Sequence, residues 1–218
     1  MSRPALIAEF LLLFIALPVA YRFSPLRIPV LPLLWVVTAY AGIQLLRDPQ
    51  FDRARLWNIA ALPRPLGEIL FIFLIAGLLI WLGVERLAPS LEWSFVKQHP
   101  VFWGVVMIAY PVLSVYPQGL VYRAFFFERY APLFPGKWTM IFASALAFAL
   151  MHIIFRNWIA VTLTFAGGLL FGWRYASTGS LAVSSFEHAL YGCWLFTVGL
   201  GQYFYHGTIA TVGSVMQR

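Results

Sequence analysis

Long apolar stretches, separated by short polar connections, constrain this chain more than any other feature. A helix needs about 17–25 mostly apolar residues to cross a lipid bilayer. The sequence therefore predicts an all-α polytopic membrane protein with seven to eight transmembrane helices. The last of these, residues 200–215, is more polar and is either a short helix or a tail at the interface. The seven apolar stretches are residues 5–21, 28–46, 67–84, 101–122, 138–155, 158–175 and 181–199.

The composition supports the same class of protein. Of the 218 residues, 61% are hydrophobic and only 11% are charged, whereas a soluble domain carries about 25% charged residues. No polar stretch is long enough to fold alone, so residues 1–218 are predicted to form a single transmembrane domain. Cys193 is the only cysteine, which excludes an intrachain disulfide and a metal site built from cysteines.

The basic residues indicate a membrane partner and an orientation. The net charge is +7, but the Lys and Arg residues are scattered between apolar stretches, which favours an anionic membrane surface over nucleic acid. An excess of basic residues on the cytoplasmic side predicts an integral protein of the bacterial cytoplasmic (inner) membrane with its N-terminus inside. That orientation puts Arg3, Arg47, Arg53, Arg55, Arg64, Arg123, Arg129, Lys137 and Arg174 inside, and Arg22, Arg27, Arg86, Lys97 and Arg156 outside.

Four ionisable residues lie within or beside apolar stretches of the second half: Arg123, His152, Glu187 and His188. A charged side chain at the bilayer centre costs about 2.5–3.5 kcal/mol on insertion scales, so such residues tend to mark functional sites. For Arg123 a simpler interpretation exists. It lies about 33 Å along the helix from Val101, so it could extend to the interface. Two prolines of that helix, Pro111 and Pro117, predict a kink like those beside polar cavities.

The other three residues also have structural interpretations. His152 could bond to Ser144 on its own helix, and His188 could lie at a helix terminus or at the interface. Glu187 could be a first-turn acid that stabilises the helix dipole. Taken together, however, two histidines and an arginine facing one cavity could hold an oxyanion or orient a water molecule. A metal is not expected, because no third ligand accompanies the two histidines, and no cofactor is expected.

These segments carry three short motifs in order. Phe148 and His152 delimit "FALMH", a Phe-x-x-x-His pattern. His188 begins "HALYG", a His-x-x-x-Asn pattern with Gly192 in the last place. In "QGLVYR", Arg123 ends a Glu-Glu-x-x-x-Arg pattern whose two glutamates are replaced by Gln118 and Gly119. In these motifs the chain resembles the CPBP family of intramembrane proteases (CAAX-protease and bacteriocin-processing enzymes, also called Abi).

The resemblance covers residues 101–200, the predicted CPBP-like catalytic core. It implies an intramembrane endopeptidase whose glutamate, at position 118 or 119, activates water to cleave a membrane-anchored or lipid-tailed protein or peptide. Arg123 would orient that glutamate, and His152 and His188 would complete the site. Phe148, Gly192 and Glu187 would be supporting or oxyanion-binding positions.

The missing glutamates leave three explanations. The chain could be an inactive homologue, Gly119 could be an introduced active-site substitution, or Glu128 or Glu187 could have taken over as the base. Because an amide or a glycine cannot act as a base near neutral pH, catalysis by this chain is predicted to be absent or impaired.

Two alternatives to an enzyme remain. A pseudoprotease would bind a membrane partner without cutting it, and a transporter-like protein would use the His and Arg residues as a path for protons or anions. In a non-enzyme, residues 117–119 would be a helix bend and Arg123 an anchor, with no cavity around His152 and His188.

Overall fold

The computed structural model describes residues 2–25 and 28–204, and all regular secondary structure in these residues is helical. Short helices at Ala54–Trp57, Ile59–Ala61, Pro89–Leu91, Ser94–Gln98 and Leu200–Phe204 connect or follow the long ones. The long helices are α1 (Arg3–Phe23), α2 (Val30–Arg47), α3 (Pro63–Leu87), α4 (Pro100–Arg129), α5 (Lys137–Phe155), α6 (Trp158–Thr178) and α7 (Leu181–Val198).

The all-α polytopic architecture is confirmed. Helices α1 to α6 are long and apolar enough to cross a membrane, and α7 adds 18 residues that pack inside the bundle. Each of the seven predicted stretches is a helix, with α4 continuing past residue 122 to Arg129. Of the predicted eighth element, residues 200–204 form a short 3₁₀ helix, and residues 205–215 lie outside the described part of the chain.

Helix α4 is continuous but irregular. It contains two π-helical turns, at Pro111–Val115 and Leu120–Phe125. Proline has no backbone N–H to donate, so the usual pattern of α-helical hydrogen bonds cannot run through Pro111 and Pro117. The sequence predicted a kink at these prolines, and the structure has π-helical turns at or just after them, a feature that often lies at functional sites. The second of these turns contains Arg123.

Helices α4 and α7 occupy the centre of the bundle. Helix α4 packs against α2, α5 and α7, whereas α7 also contacts α3 and α6. Helix α1 lies against α5, close to the end that carries His152. This arrangement places all three motif segments on helices that contact one another.

Aromatic rings join three of these helices in the core. Phe14 of α1 meets Tyr122 and Phe126 of α4 edge-to-face, with ring centres 5.5 and 5.0 Å apart. Tyr122 in turn meets Phe148 of α5 at 5.2 Å. Such pairs add about 0.5–1.5 kcal/mol each beyond the apolar area they bury. They fix the rotation of α4 and α5, and with it the direction of the polar side chains between them.

Candidate active site

The three motif segments meet around the ring of Phe148. The guanidinium carbon of Arg123 lies 4.8 Å from the centre of that ring. The rings of His152 and His188 lie 4.6 and 5.6 Å from it, at interplanar angles of 68° and 88°. The structure thus brings together side chains from α4, α5 and α7 that are as many as 65 positions apart in the sequence.

Arg123 is an interior residue. Only 2% of it is exposed, so the interpretation as an interfacial anchor is wrong. Its Nη1 donates to the carbonyl oxygen of Tyr122 at 3.2 Å and to the Ser144 hydroxyl at 3.3 Å, whereas its Nε has no partner. Within residues 2–25 and 28–204, no carboxylate lies within ion-pair distance of it. Burying a cation without a counter-ion costs free energy. The surroundings of Arg123 therefore favour an anionic partner.

His152 is held by its own helix. Its Nδ1 lies 2.7 Å from the carbonyl oxygen of Phe148. Because a carbonyl only accepts, Nδ1 carries the proton of the neutral ring and Nε2 is left as an acceptor. The alternative bond to Ser144 is wrong, since the Ser144 hydroxyl donates to the Tyr122 carbonyl at 2.6 Å. His152 therefore offers a lone pair where a water molecule could bind.

His188 lies in the middle of α7, not at its end. It is buried and stacks on Phe171 with ring centres 4.6 Å apart. The interpretation as a terminal or interfacial histidine is therefore wrong. Its ring joins the packed layer between α5, α6 and α7.

Glu187 forms an ion pair deep in the bundle. It accepts from Nε and Nη2 of Arg174 at 2.8 and 3.1 Å, and Glu68 contacts the same guanidinium at 3.4 Å. Glu187 is fully buried and lies outside the first turn of α7, so its assignment as a first-turn acid is wrong. Arg174 is only 1% exposed and is therefore an interior residue. The position of Arg174 within an apolar stretch could have indicated this ion pair from the sequence.

Glu128, the other residue considered as a replacement base, also forms an ion pair away from His152. The Glu128 carboxylate lies 3.6 Å from Arg55 at the end of α4. With Glu187 bound to Arg174, neither carboxylate is free to act beside His152. Within the described residues, no three His, Cys, Asp or Glu side chains cluster as a metal site would require.

A cavity of about 1290 Å³ lies beside the motif residues. Helices α4 and α5 contribute its polar wall, which contains Tyr110, Ser114, Gln118, Tyr122 and His152. Helices α1 and α2 contribute a largely apolar wall. Arg123, His188, Gly119 and Gly192 are not among the lining residues and lie in the packed layer next to it. The cavity at His152 contradicts the prediction made for a non-enzyme, although His188 does not face it.

Positions 118 and 119 face different neighbours. Gln118 lines the cavity, and its Nε2 donates to the Ser114 hydroxyl at 2.7 Å while its Oε1 has no partner. Gly119 faces α7, where a Cβ would lie 2.9 Å from both Leu181 Cδ1 and Ser185 Oγ. Only position 118 therefore points into the space that His152 shares.

Gly192 is covered by a residue that the motifs do not include. A Cβ at Gly192 would lie 2.3 Å from Cε1 and 2.5 Å from the hydroxyl oxygen of Tyr110. Tyr110 and Ser114 were both missed by the sequence analysis. Nothing in the sequence points to either, because their position depends on how α4 packs against α7.

Fold and site together define a polytopic α-helical membrane protein with a polar site buried inside its helix bundle. Residues 99–194 match the model of the family described as "Type II CAAX prenyl endopeptidase Rce1-like". This segment contains all three motifs, and the match confirms the resemblance to the CPBP proteases. No curated protein and no solved structure matches the chain.

Proposed function

We propose that the chain is an intramembrane endopeptidase of the CPBP type that lacks its general base. One observation carries the proposal: Gln118 and His152, from two different motifs, line the same cavity. The sequence placed the base at position 118 or 119. Their different surroundings favour 118 as the water-activating position and 119 as the partner of Arg123.

The chemistry follows from these positions. A glutamate at 118 would accept a proton from a water molecule held by Nε2 of His152 while the water oxygen adds to the peptide carbonyl carbon. The tetrahedral intermediate would then collapse, the C–N bond would break, and the glutamic acid would return the proton to the leaving amine nitrogen. The Gln118 amide cannot accept that proton near neutral pH. Losing a general base costs about 10²–10⁴-fold in rate. We therefore expect this chain to bind its substrate and to cleave it very slowly or not at all.

The cavity supports a membrane-anchored or lipid-tailed protein or peptide as the substrate. Its volume of about 1290 Å³ exceeds the 300–1,000 Å³ of most small-molecule pockets, and α1 and α2 give it a largely apolar wall. Tyr110, Ser114, Gln118, Tyr122 and His152 lie on the α4 and α5 side, and further polar residues such as Arg22 and Arg156 lie at one end of the cavity. This distribution suits an apolar chain whose scissile bond lies against Gln118 and His152.

The orientation is also part of the proposal. With the N-terminus inside a bacterial cytoplasmic membrane, α1 ends and α4 begins on the outer side. Arg22, Phe95, Phe102 and Arg156 line the cavity at that end of the bundle. The substrate would then enter from the outer face.

The decisive experiment compares Gln118→Glu, Gly119→Glu and the double variant with the unchanged protein, purified in detergent. The assay follows cleavage of a farnesylated CAAX peptide and of a peptide with a transmembrane tail. Gln50→Glu is the matched control, because it makes the same chemical change on an exposed loop. We expect cleavage to rise by about 10²-fold or more with Gln118→Glu and to disappear again when His152→Ala is added.

Other results would contradict the proposal in separate ways. Binding without cleavage by every variant would favour the pseudoprotease. Cleavage by Gly119→Glu but not by Gln118→Glu would move the base to position 119. Cleavage by the unchanged protein would show that the base lies elsewhere.

A further inference from the structure

The last position of the third motif has no side chain of its own, but the space beside it is filled. Gly192 leaves room on α7, and the ring of Tyr110 from α4 occupies it. The Tyr110 ring also meets His188 edge-on, with ring centres 6.4 Å apart. Tyr110 lies on α4, the helix that carries the first motif. Its ring therefore occupies the space that the polar side chain at the last position of the third motif would fill.

The hydroxyl of Tyr110 is placed to reach a ligand. Tyr110 lines the cavity together with Gln118 and His152. Within residues 2–25 and 28–204, its hydroxyl makes no hydrogen bond. Two other tyrosines, Tyr130 and Tyr191, also have unpartnered hydroxyl groups, but neither of them lines the cavity. Tyr122 also lines the cavity, and within the described residues its hydroxyl makes no hydrogen bond, but of these tyrosines it is Tyr110 whose ring fills the space beside Gly192.

A purely packing role would not need this hydroxyl. A phenylalanine would fill the space beside Gly192 equally well, without a polar group that has no protein partner. The phenol is protonated near neutral pH and can donate one hydrogen bond. The donor is therefore available to a group that enters the cavity.

We propose that Tyr110 donates a hydrogen bond to the carbonyl oxygen of the substrate's scissile peptide bond, in place of the polar group missing at position 192. This inference rests on the proposed function, because it requires a peptide in the cavity. When water adds to the carbonyl carbon, the oxygen becomes negatively charged and this hydrogen bond strengthens. The proton stays on Tyr110 throughout, so the role needs no further reactant.

The test measures binding and does not depend on cleavage. A farnesylated CAAX peptide, isotopically labelled at the carbonyl of its prenylated cysteine, is bound to the unchanged protein and to Tyr110→Phe. Its carbonyl stretching frequency is recorded by infrared difference spectroscopy. We expect binding to persist and the frequency to rise in Tyr110→Phe, because the carbonyl loses a hydrogen bond. Tyr191→Phe is the matched control and should leave the frequency unchanged.

A second pair of variants tests the space itself. Gly192→Asn should lower the unfolding temperature, because its Cβ would overlap the Tyr110 ring. Adding Tyr110→Ala should recover that loss and return the carbonyl frequency toward that of the unchanged protein, since the asparagine amide then supplies the donor.

Each remaining outcome decides a separate point. If the peptide binds but Tyr110→Phe leaves its carbonyl frequency unchanged, the role of Tyr110 is overturned and the proposed function stands. An equal frequency change in Tyr191→Phe also overturns it. If the peptide binds to no variant, the proposed function fails and this inference fails with it.

Discussion

The guanidinium of Arg123 stacks on the ring of Phe148 with 4.8 Å between the guanidinium carbon and the ring centre. This contact gives a buried cation the negative face of an aromatic ring, which contributes about 2 kcal/mol or more when the pair is desolvated. It is weaker than a carboxylate would be. We therefore expect a glutamate at position 119 to bind Arg123 more strongly than the Phe148 ring does.

We predict that Gly119→Glu is more stable than Gly119→Gln. The two side chains have nearly the same size and must both displace Leu181 and Ser185, but only the glutamate neutralises Arg123. The difference in unfolding free energy should be about 1.5–3 kcal/mol, which is typical of a hydrogen bond to a charged group. Thermal unfolding in detergent measures it. Equal stability of the two variants would show that position 119 does not reach Arg123.

The ion pair between Arg174 and Glu187 should be essential to the fold. Glu187→Gln leaves the buried guanidinium without its main partner, and breaking such a pair costs about 3–5 kcal/mol. Glu128→Gln is the control, because its pair with Arg55 is partly exposed and such pairs contribute about 0–1 kcal/mol. Chemical denaturation of both variants checks the contrast. Equal effects would mean that Glu187 does not anchor Arg174.

His152 should be a single tautomer with its proton on Nδ1. The bond to the Phe148 carbonyl at 2.7 Å requires a donor at that nitrogen. Nitrogen NMR of protein labelled in histidine, with His152→Gln used to assign the signal, should show a protonated Nδ1 and an unprotonated Nε2. A protonated Nε2 would remove the lone pair that the proposed water site needs.

The orientation of the protein can be checked with single cysteines. Cys193→Ala gives a cysteine-free background, since Cys193 is the only cysteine. Ser90→Cys and Gln50→Cys then place one thiol in each of two exposed loops. A membrane-impermeant maleimide should label Ser90→Cys in intact cells and Gln50→Cys only after lysis. The reverse pattern would put the N-terminus outside.

The helices were predictable because their signal is local. Apolar stretches of membrane-spanning length identified α1 to α7, and their bounds differ from the structure by only a few residues at most ends. The meeting of Arg123, His152 and His188 around Phe148 could not be read from spacing along the chain. The cost of ionisable side chains in apolar stretches suggested a shared site, and the resemblance to a family supported it, but the three residues lie on different helices.

The environments of individual side chains were not predictable in the same way. Arg123 was compatible with an interfacial position because distance along α4 says nothing about which helices cover its end. Gln118 and Gly119 are adjacent in sequence, yet one faces the cavity and the other faces α7. The π-helical turn that follows them rotates the downstream side chains, and no local sequence pattern predicts such a turn. Tyr110 filling the space beside Gly192 is a property of packing alone.

The apolar wall of the cavity has a consequence for how this protein can diversify. Phe14, Leu17, Leu34 and Val37 of α1 and α2 belong to that wall, yet all of them precede the segment matched by the family. Part of the apolar lining is thus encoded outside the segment that contains Gln118 and His152. If the proposed function holds, substitutions at Leu17, Leu34 or Val37 would change which apolar group the cavity accepts and leave Gln118 and His152 in place, whereas Phe14 also packs on Tyr122 of α4.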